Sequence, residues 1–305
     1  MNTQVAVFGL GRMGMQIAKR LKKNNFDVLA WNRHEDPRKD FEAFGGRSFG
    51  DVSSLVLEMK ESPRVFWLML PHEVTHDFIF GEEGLKPHLK SGDIIIDGGN
   101  SFYKDSINNA ALLKANGVHF FDVGVSGGVW GFENGFALMA GGSKEQWPNI
   151  EQIIKALSSG DNYGLVGENG AGHFVKMVHN GIEYGMMEAI AEGYAVMKAS
   201  SFNFDLKQVT KIYQEGSVVK SWLIDLMYNI FDKEDVDSVK GEIGALGEAE
   251  WTVNTAKELG VDVRVIADSL QVRKESVDLK NQEKYSNKLV ALLRKQFGGH
   301  EIKKK

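Results

Sequence analysis

Apolar residues recur along this chain in two rhythms, and the change of rhythm divides it. Up to about residue 170, short apolar runs bounded by Gly, Pro, Asn or Asp read as strands: Val5–Phe8, Val28–Trp31, Val65–Leu70, Ile94–Ile96, His119–Val123 and Phe136–Ala140. Helix-period segments lie between several of them, at Met15–Lys23, Phe78–Leu89 and Ile107–Ala115. Strands alternating with helices predict βαβ units and a mostly parallel sheet. From Gly172 onward only helical periodicity persists, over His173–Ser200, Leu206–Glu215, Ser221–Asn229, Glu248–Leu259, Arg264–Arg273 and Tyr285–Phe297. The predicted fold class is α/β, with a doubly wound sheet over residues 1–172 followed by an all-α domain over residues 173–305.

Composition narrows the function. The 305 residues carry a net charge of −5, which argues against a nucleic-acid or anionic-membrane partner. The absence of cysteine rules out disulfides, cysteine–zinc sites and a cysteine nucleophile. With no signal-peptide pattern and no apolar run near the length of a membrane span, a cytoplasmic setting is expected. The Lys303–Lys305 end reads as a solvated tail.

Gly9, Gly11 and Gly14 have the G-x-G-x-x-G spacing, with Arg12 and Met13 inside it, directly after the first strand. Such glycines allow a tight turn, close approach of a pyrophosphate and close helix–strand packing, so the sheet is read as Rossmann-like and dinucleotide-binding. The second strand ends at Asn32-Arg33, where an NAD site usually carries an acid. Arg33 suits a 2′-phosphate and favours NADP, while Glu35 and Asp36 nearby weaken that reading and keep NAD open. Two further loops follow strands. Asp97-Gly-Gly-Asn100-Ser101 offers an amide and a hydroxyl, and Ser126-Gly127-Gly128 offers backbone N–H groups to an anion. Taken singly, each is as well explained by a turn.

The richest chemistry lies in Gly170–Gly185. Lys176, His179, Asn180 and Glu183 are spaced i, i+3, i+4 and i+7, on one face of a helix. Their apolar neighbours Phe174, Val175, Met177, Val178 and Ile182 predict a largely buried segment. A neutral Lys176 suits the removal of an alcohol proton during hydride transfer, and Glu183, about 10 Å further along the axis, can address another carbon. Ordinary ion partners would explain the same pair.

With these motifs assembled, and above all the run Lys176-Met-Val-His-Asn-Gly-Ile-Glu-Tyr184, the chain resembles the 6-phosphogluconate dehydrogenases over nearly its whole length. The resemblance implies NAD(P)-linked oxidation and decarboxylation of 6-phosphogluconate to ribulose 5-phosphate, without a metal. It implies Lys176 as base and later acid, and Glu183 as the acid that protonates C1. Asn100, Ser126, Gly127, Gly128, His179 and Asn180 would hold the sugar acid, with Asn100 also beside the nicotinamide. Tyr184, Arg273 and the tail motif Arg294-x-x-Phe-Gly-x-His300 would hold the phosphate, the tail coming from a partner subunit in a homodimer or higher homo-oligomer with shared sites. The chain departs from the longer members of the family. It has about one helical unit where they have two. Val129-Trp130 replaces two acids, and the loop position of a phosphate-binding lysine reads Leu246, with Lys240 a weak substitute. Short members are often NAD-linked, against the Arg33 reading. Two other readings remain: a 3-hydroxyisobutyrate-type dehydrogenase, which has no phosphate for Arg273, Arg294 and His300 to bind, and a non-catalytic NADP-binding redox sensor, which has no use for Lys176 and Glu183.

Overall fold

The computed structural model describes residues 3–244 and 247–304, so the expectation placed on Leu246 lies outside the described residues. The chain forms two compact units, Met1–Lys176 and Met177–Lys305.

The first unit contains eight strands: β1 (Gln4–Phe8), β2 (Asp27–Trp31), β3 (Arg47–Phe49), β4 (Val65–Leu68), β5 (Ile94–Asp97), β6 (His119–Ser126), β7 (Phe136–Gly142) and β8 (Ser158–Gly167). They form one sheet in the order β3-β2-β1-β4-β5-β6-β7-β8. All pairs are parallel except β6 with β7. The helices of this unit are α1 (Arg12–Lys23), α2 (Glu35–Ala43), α3 (Val52–Glu58), α4 (His72–Phe80), α5 (Tyr103–Lys114), α6 (Gly131–Asn134) and α7 (Glu151–Leu157). Both sheet faces are covered. Val5, Val7, Val65 and Ile94 pack with Ile17 and Leu21 of α1, while Ala6, Phe8, Phe66 and Ile95 pack with Leu55 of α3 and Leu113 of α5. Burial on both faces is why these strands read as unbroken apolar runs.

Helix α8 (Ala171–Ala199) begins in the first unit and continues into the second, which adds α9 (Leu206–Gln214), α10 (Trp222–Lys233), α11 (Glu248–Glu258), α12 (Arg264–Glu275), α13 (Leu279–Gln282) and α14 (Tyr285–Gly298). Tyr184, Met187, Ala191 and Tyr194 recur at 3, 4 and 3 residues along α8 and pack with Ile224 and Met227 of α10 and with Leu289 and Leu293 of α14.

Three expectations need correction. Phe78–Leu89 is not one helix. Helix α4 starts earlier and stops at Gly81, and residues 86–88 form only a single 3₁₀ turn beginning next to Pro87. The chain folds back so tightly there that a Cβ on Gly84 would lie 1.9 Å from the Phe78 carbonyl oxygen. The strands β3 and β8 were not foreseen: β3 is three residues long, and β8 is a mostly solvent-facing edge containing Gly160 and Gly164. The segment around Lys176 is only half buried, because Val175 and Ile182 are 39% and 53% exposed.

Candidate active site

Each glycine of the first turn has a different task. Gly9 adopts φ +97, a conformation open to glycine. A Cβ on Gly14 would sit 1.9 Å from the Gly9 carbonyl oxygen, so α1 can cross the turn only without a side chain there. A Cβ on Gly11 would meet nothing within 4 Å. That is the open approach a pyrophosphate needs, facing the N-terminus of α1, where Gly11 as the N-cap supplies no side-chain acceptor. A dinucleotide therefore fits this turn. Asn32 supports the turn: its Oδ1 accepts the Leu10 N–H at 2.9 Å and its Nδ2 donates to the His34 carbonyl. Arg33 is exposed at the same strand end, its Nη2 3.4 Å from His34 Nε2.

The parallel strands β1, β4, β5 and β6 bring further loops to the same sheet edge. After β5, buried Asp97 accepts the Gly99 N–H at 3.0 Å and the Ser101 hydroxyl at 2.7 Å. These bonds close the loop and leave Asn100 exposed at its tip. Ser101 is thus a structural residue. After β6 come Gly127 at φ +140 and Gly128 at φ +59. This double left-handed turn takes the chain sharply away after Ser126.

Lys176 is seated at this edge by residues that sequence reasoning passed over. Gly124 of β6 faces it, and a Cβ on Gly124 would lie 2.4 Å from Lys176 Cβ. Gly172 has no room for a side chain either, since its Cβ would lie 2.3 Å from the Asp122 carbonyl oxygen. Asp122, fully buried, accepts the Gly170 N–H at 2.6 Å and the His173 N–H at 2.9 Å. Its carboxylate caps α8 and opposes the positive end of the helix dipole. Burial pushes the Asp122 carboxyl above its ordinary range, with Asp97 adding to the rise, while His173 and the two backbone N–H groups oppose it. His173 Nδ1 lies 2.7 Å from Ser106 Oγ, which pins the first turn of α8 to α5.

In the second unit, His179 Nδ1 lies 3.2 Å from Asn180 Oδ1 and 3.8 Å from Glu183 Oε2. These three residues of the stripe therefore meet. One turn on, the ring of Tyr184 carries the Arg273 guanidinium 3.2 Å above its centroid. Arg273 is 1% and Arg294 7% exposed. Burial lowers the Arg273 pKa, and Arg294 acts in the same sense while Tyr184, Glu188 and Glu183 oppose it; a guanidinium stays charged throughout. Two buried cations that repel each other make the surroundings favourable to an anion. Arg294 lies on the inward face of its own α14, with Nη1 3.0 Å from the place a Gly244 Cβ would take. Arg273 and Arg294 both lie in the helical unit of the chain. His300 follows Gly299 (φ +60) and turns back over Gly298.

A dinucleotide turn and a lysine seated at the same sheet edge mark a nicotinamide-dependent oxidoreductase, and the helical unit separately carries two buried arginines suited to an anion. The chain matches the NAD binding domain of 6-phosphogluconate dehydrogenase over residues 4–167 and the 6-phosphogluconate dehydrogenase C-terminal domain over residues 172–304, and it belongs to that family. It is 37% identical to the Bacillus subtilis protein YqeC over 99% of this chain and 100% of that one. It is 34% identical to the NAD(+)-dependent, decarboxylating 6-phosphogluconate dehydrogenase of Haloferax volcanii, over 99% of each chain. Among solved structures, Plasmodium falciparum 6-phosphogluconate dehydrogenase, known with NADP+ and with 6-phosphogluconate, superposes with a TM-score of 0.81 at 31% identity, over 90% of this chain and 62% of that one. Salmonella typhimurium 3-hydroxyisobutyrate dehydrogenase shares the fold, with a TM-score of 0.74 at 17% identity, over 95% of this chain and 99% of that one.

Proposed function

We propose that the protein oxidises and decarboxylates 6-phosphogluconate to ribulose 5-phosphate and CO2 with reduction of NAD(P). The observation that carries this reading is the seat of Lys176, held by Gly124, Gly172 and the Asp122 cap at the edge that also bears the dinucleotide turn and Ser126. When bound, the nicotinamide supplies the hydride acceptor. Lys176, as a neutral amine, takes the proton of the substrate 3-hydroxyl as hydride leaves C3. The product is a 3-keto acid whose carboxylate is β to the ketone. CO2 leaves with the ketone accepting the electron pair, and protonated Lys176 delivers its proton to the enediol oxygen. Glu183, oriented by His179, then protonates the substrate's former C2, which becomes C1 of ribulose 5-phosphate. Ser126, Gly127, Gly128 and Asn180 hold the sugar acid, Asn100 lies between it and the nicotinamide, and Tyr184, Arg273, Arg294 and His300 hold the phosphate. In the dinucleotide turn, Gly9, Gly11, Arg12, Met13 and Gly14 receive the pyrophosphate.

Arg33, exposed at the end of β2, supports NADP as the preferred cofactor. Val175, Ile182, Met186 and Val196 form an exposed apolar stripe on α8, which supports a homodimer formed through that face. The absence of cysteine supports a cytoplasmic setting. The test is direct: purified protein with 6-phosphogluconate should reduce NAD or NADP and release CO2 in equal amounts. Failure with both cofactors would sink the reading. Comparing kcat/KM for the two cofactors before and after Arg33→Ala decides the preference, which should shift toward NAD in the variant.

A further inference from the structure

Glu188 stands out on the inward stripe of α8. It is 4% exposed, lies among Tyr184, Met187 and Ala191 of the apolar core, and neither carboxylate oxygen has a hydrogen-bond partner among the described residues. Across from it, on α12, Arg273 Nε is also buried and has no hydrogen-bond partner among the described residues. The two meet at 4.0 Å from Nε to Oε1, too long for a hydrogen bond but close enough for strong attraction. The other contacts of Arg273 are soft: Nη2 points at Met187 Sδ at 3.8 Å, and its face lies on the Tyr184 ring. Among the described residues, the charged and titratable groups that act on the pair are Glu183, Tyr184 and Glu192 on α8 and Arg294 on α14. A guanidinium with five fixed donors, packed against sulfur and an aromatic face, has donors to spare for an oxyanion.

We propose that Glu188 is the resident counter-ion of Arg273, a positioning residue that holds this guanidinium before substrate arrives and competes with the substrate's phosphate for it. The proposal rests on Arg273 being a phosphate ligand. A phosphate dianion drawn to Arg273 weakens the attraction that keeps Glu188 ionised and adds repulsion of its own. Glu188 then takes up a proton as the anion binds. Burial, reinforced by Glu192, already pushes the Glu188 carboxyl up to about 7 against the pull of Arg273, so this uptake falls near neutral pH. The sign follows: anion affinity is highest where Glu188 is protonated and falls as pH rises through its titration, by up to about tenfold per pH unit.

Sulfate is the suitable probe, because it remains a dianion across neutral pH and adds no titration of its own. Binding of sulfate to the full-length protein, measured by calorimetry near pH 7.5 in buffers of different ionisation enthalpy, should show proton uptake. Glu188→Gln should reduce the uptake, leaving only the share that an imidazole ligand such as His300 contributes, tighten sulfate binding severalfold at pH 8 and flatten the pH dependence of the affinity. No uptake by the unaltered protein, no sulfate binding at all, or equal uptake in the variant would each overturn the proposal. The arm on the unaltered protein stands even if the variant fails to fold. Arg273→Lys should weaken sulfate binding at least tenfold, and unchanged binding would show that the anion sits elsewhere. These measurements need no turnover. Inactivity toward 6-phosphogluconate would sink the proposed function alone, and an active enzyme without linked proton uptake would sink only the role of Glu188.

Discussion

Single residues here are fixed by what a side chain would collide with or leave unpaired. Gly14 and Gly11 belong to one motif, yet a Cβ is excluded by backbone at Gly14 and would enter open space at Gly11. Gly11→Ala should therefore cost about 1 kcal/mol or less in stability, the usual range for an N-cap change, while sharply weakening cofactor binding. Fluorescence titration with NADP and NAD beside urea unfolding checks both halves, and retained cofactor affinity would show that the pyrophosphate does not approach there. Glu188 makes a different prediction. Its folded-state pKa is raised, so the folded protein holds a proton that the unfolded chain releases above about pH 4.5. Stability from this group is complete below that pH and is lost as pH rises to about 7, by on the order of 3 kcal/mol. Glu188→Gln should accordingly gain stability relative to the unaltered protein as pH moves from 5 to 8. Urea midpoints at the two pH values measure it, and a constant difference would refute it.

At the scale of elements, the controlling contact is the one between β6 and the first turns of α8. Gly124, Gly172 and Asp122 make it, and Lys176 follows from it. Gly124→Ala would place a Cβ against Lys176 Cβ, which has no flexible end to swing aside, so α8 must shift. The expected result is a large loss of kcat with cofactor affinity intact, because the dinucleotide turn lies on β1 and α1; stopped-flow and equilibrium binding separate the two. Asp122→Ala leaves the Gly170 and His173 N–H groups without their acceptor and should cost about 1–3 kcal/mol, read as a lower unfolding midpoint. Lys176→Met tests the base itself: activity should vanish while cofactor binding and thermal stability remain, and persistent turnover would remove Lys176 from the mechanism.

For the whole molecule, the stripe of exposed apolar residues on α8 carries the proposed contact with a second copy. Val196, 71% exposed, and Met186 lie on the same face of a helix whose opposite face carries the core of the second unit. The homodimer proposed above predicts that sedimentation finds a dimer and that Val196→Glu shifts it toward monomer; a monomeric unaltered protein would refute the dimer, and a dimer unchanged by the substitution would place the interface elsewhere.

How much of this was legible in the sequence differs by kind of residue. The dinucleotide turn, most of the strands and nearly all helices of the second unit could be read directly, because local periodicity and glycine spacing are properties of neighbours in the chain. The short edge strands escaped because a three-residue strand has no measurable period and a solvent-facing edge has no apolar run. Lys176 and Glu183 were visible as a spacing on a helix. Why Lys176 points where it does was not, since Gly124 is 52 positions away along the chain and meets it only when the sheet and α8 pack. Glu188 is the clearest case. In the sequence it is one of many glutamates; in the fold it is a carboxylate buried among apolar side chains facing an arginine 85 positions later. The sequence by itself determined the class of chemistry, because the groups that perform it are local motifs. Only the tertiary structure decided which charges lose their water and face each other, because desolvation and Coulomb attraction depend on distances in space rather than along the chain.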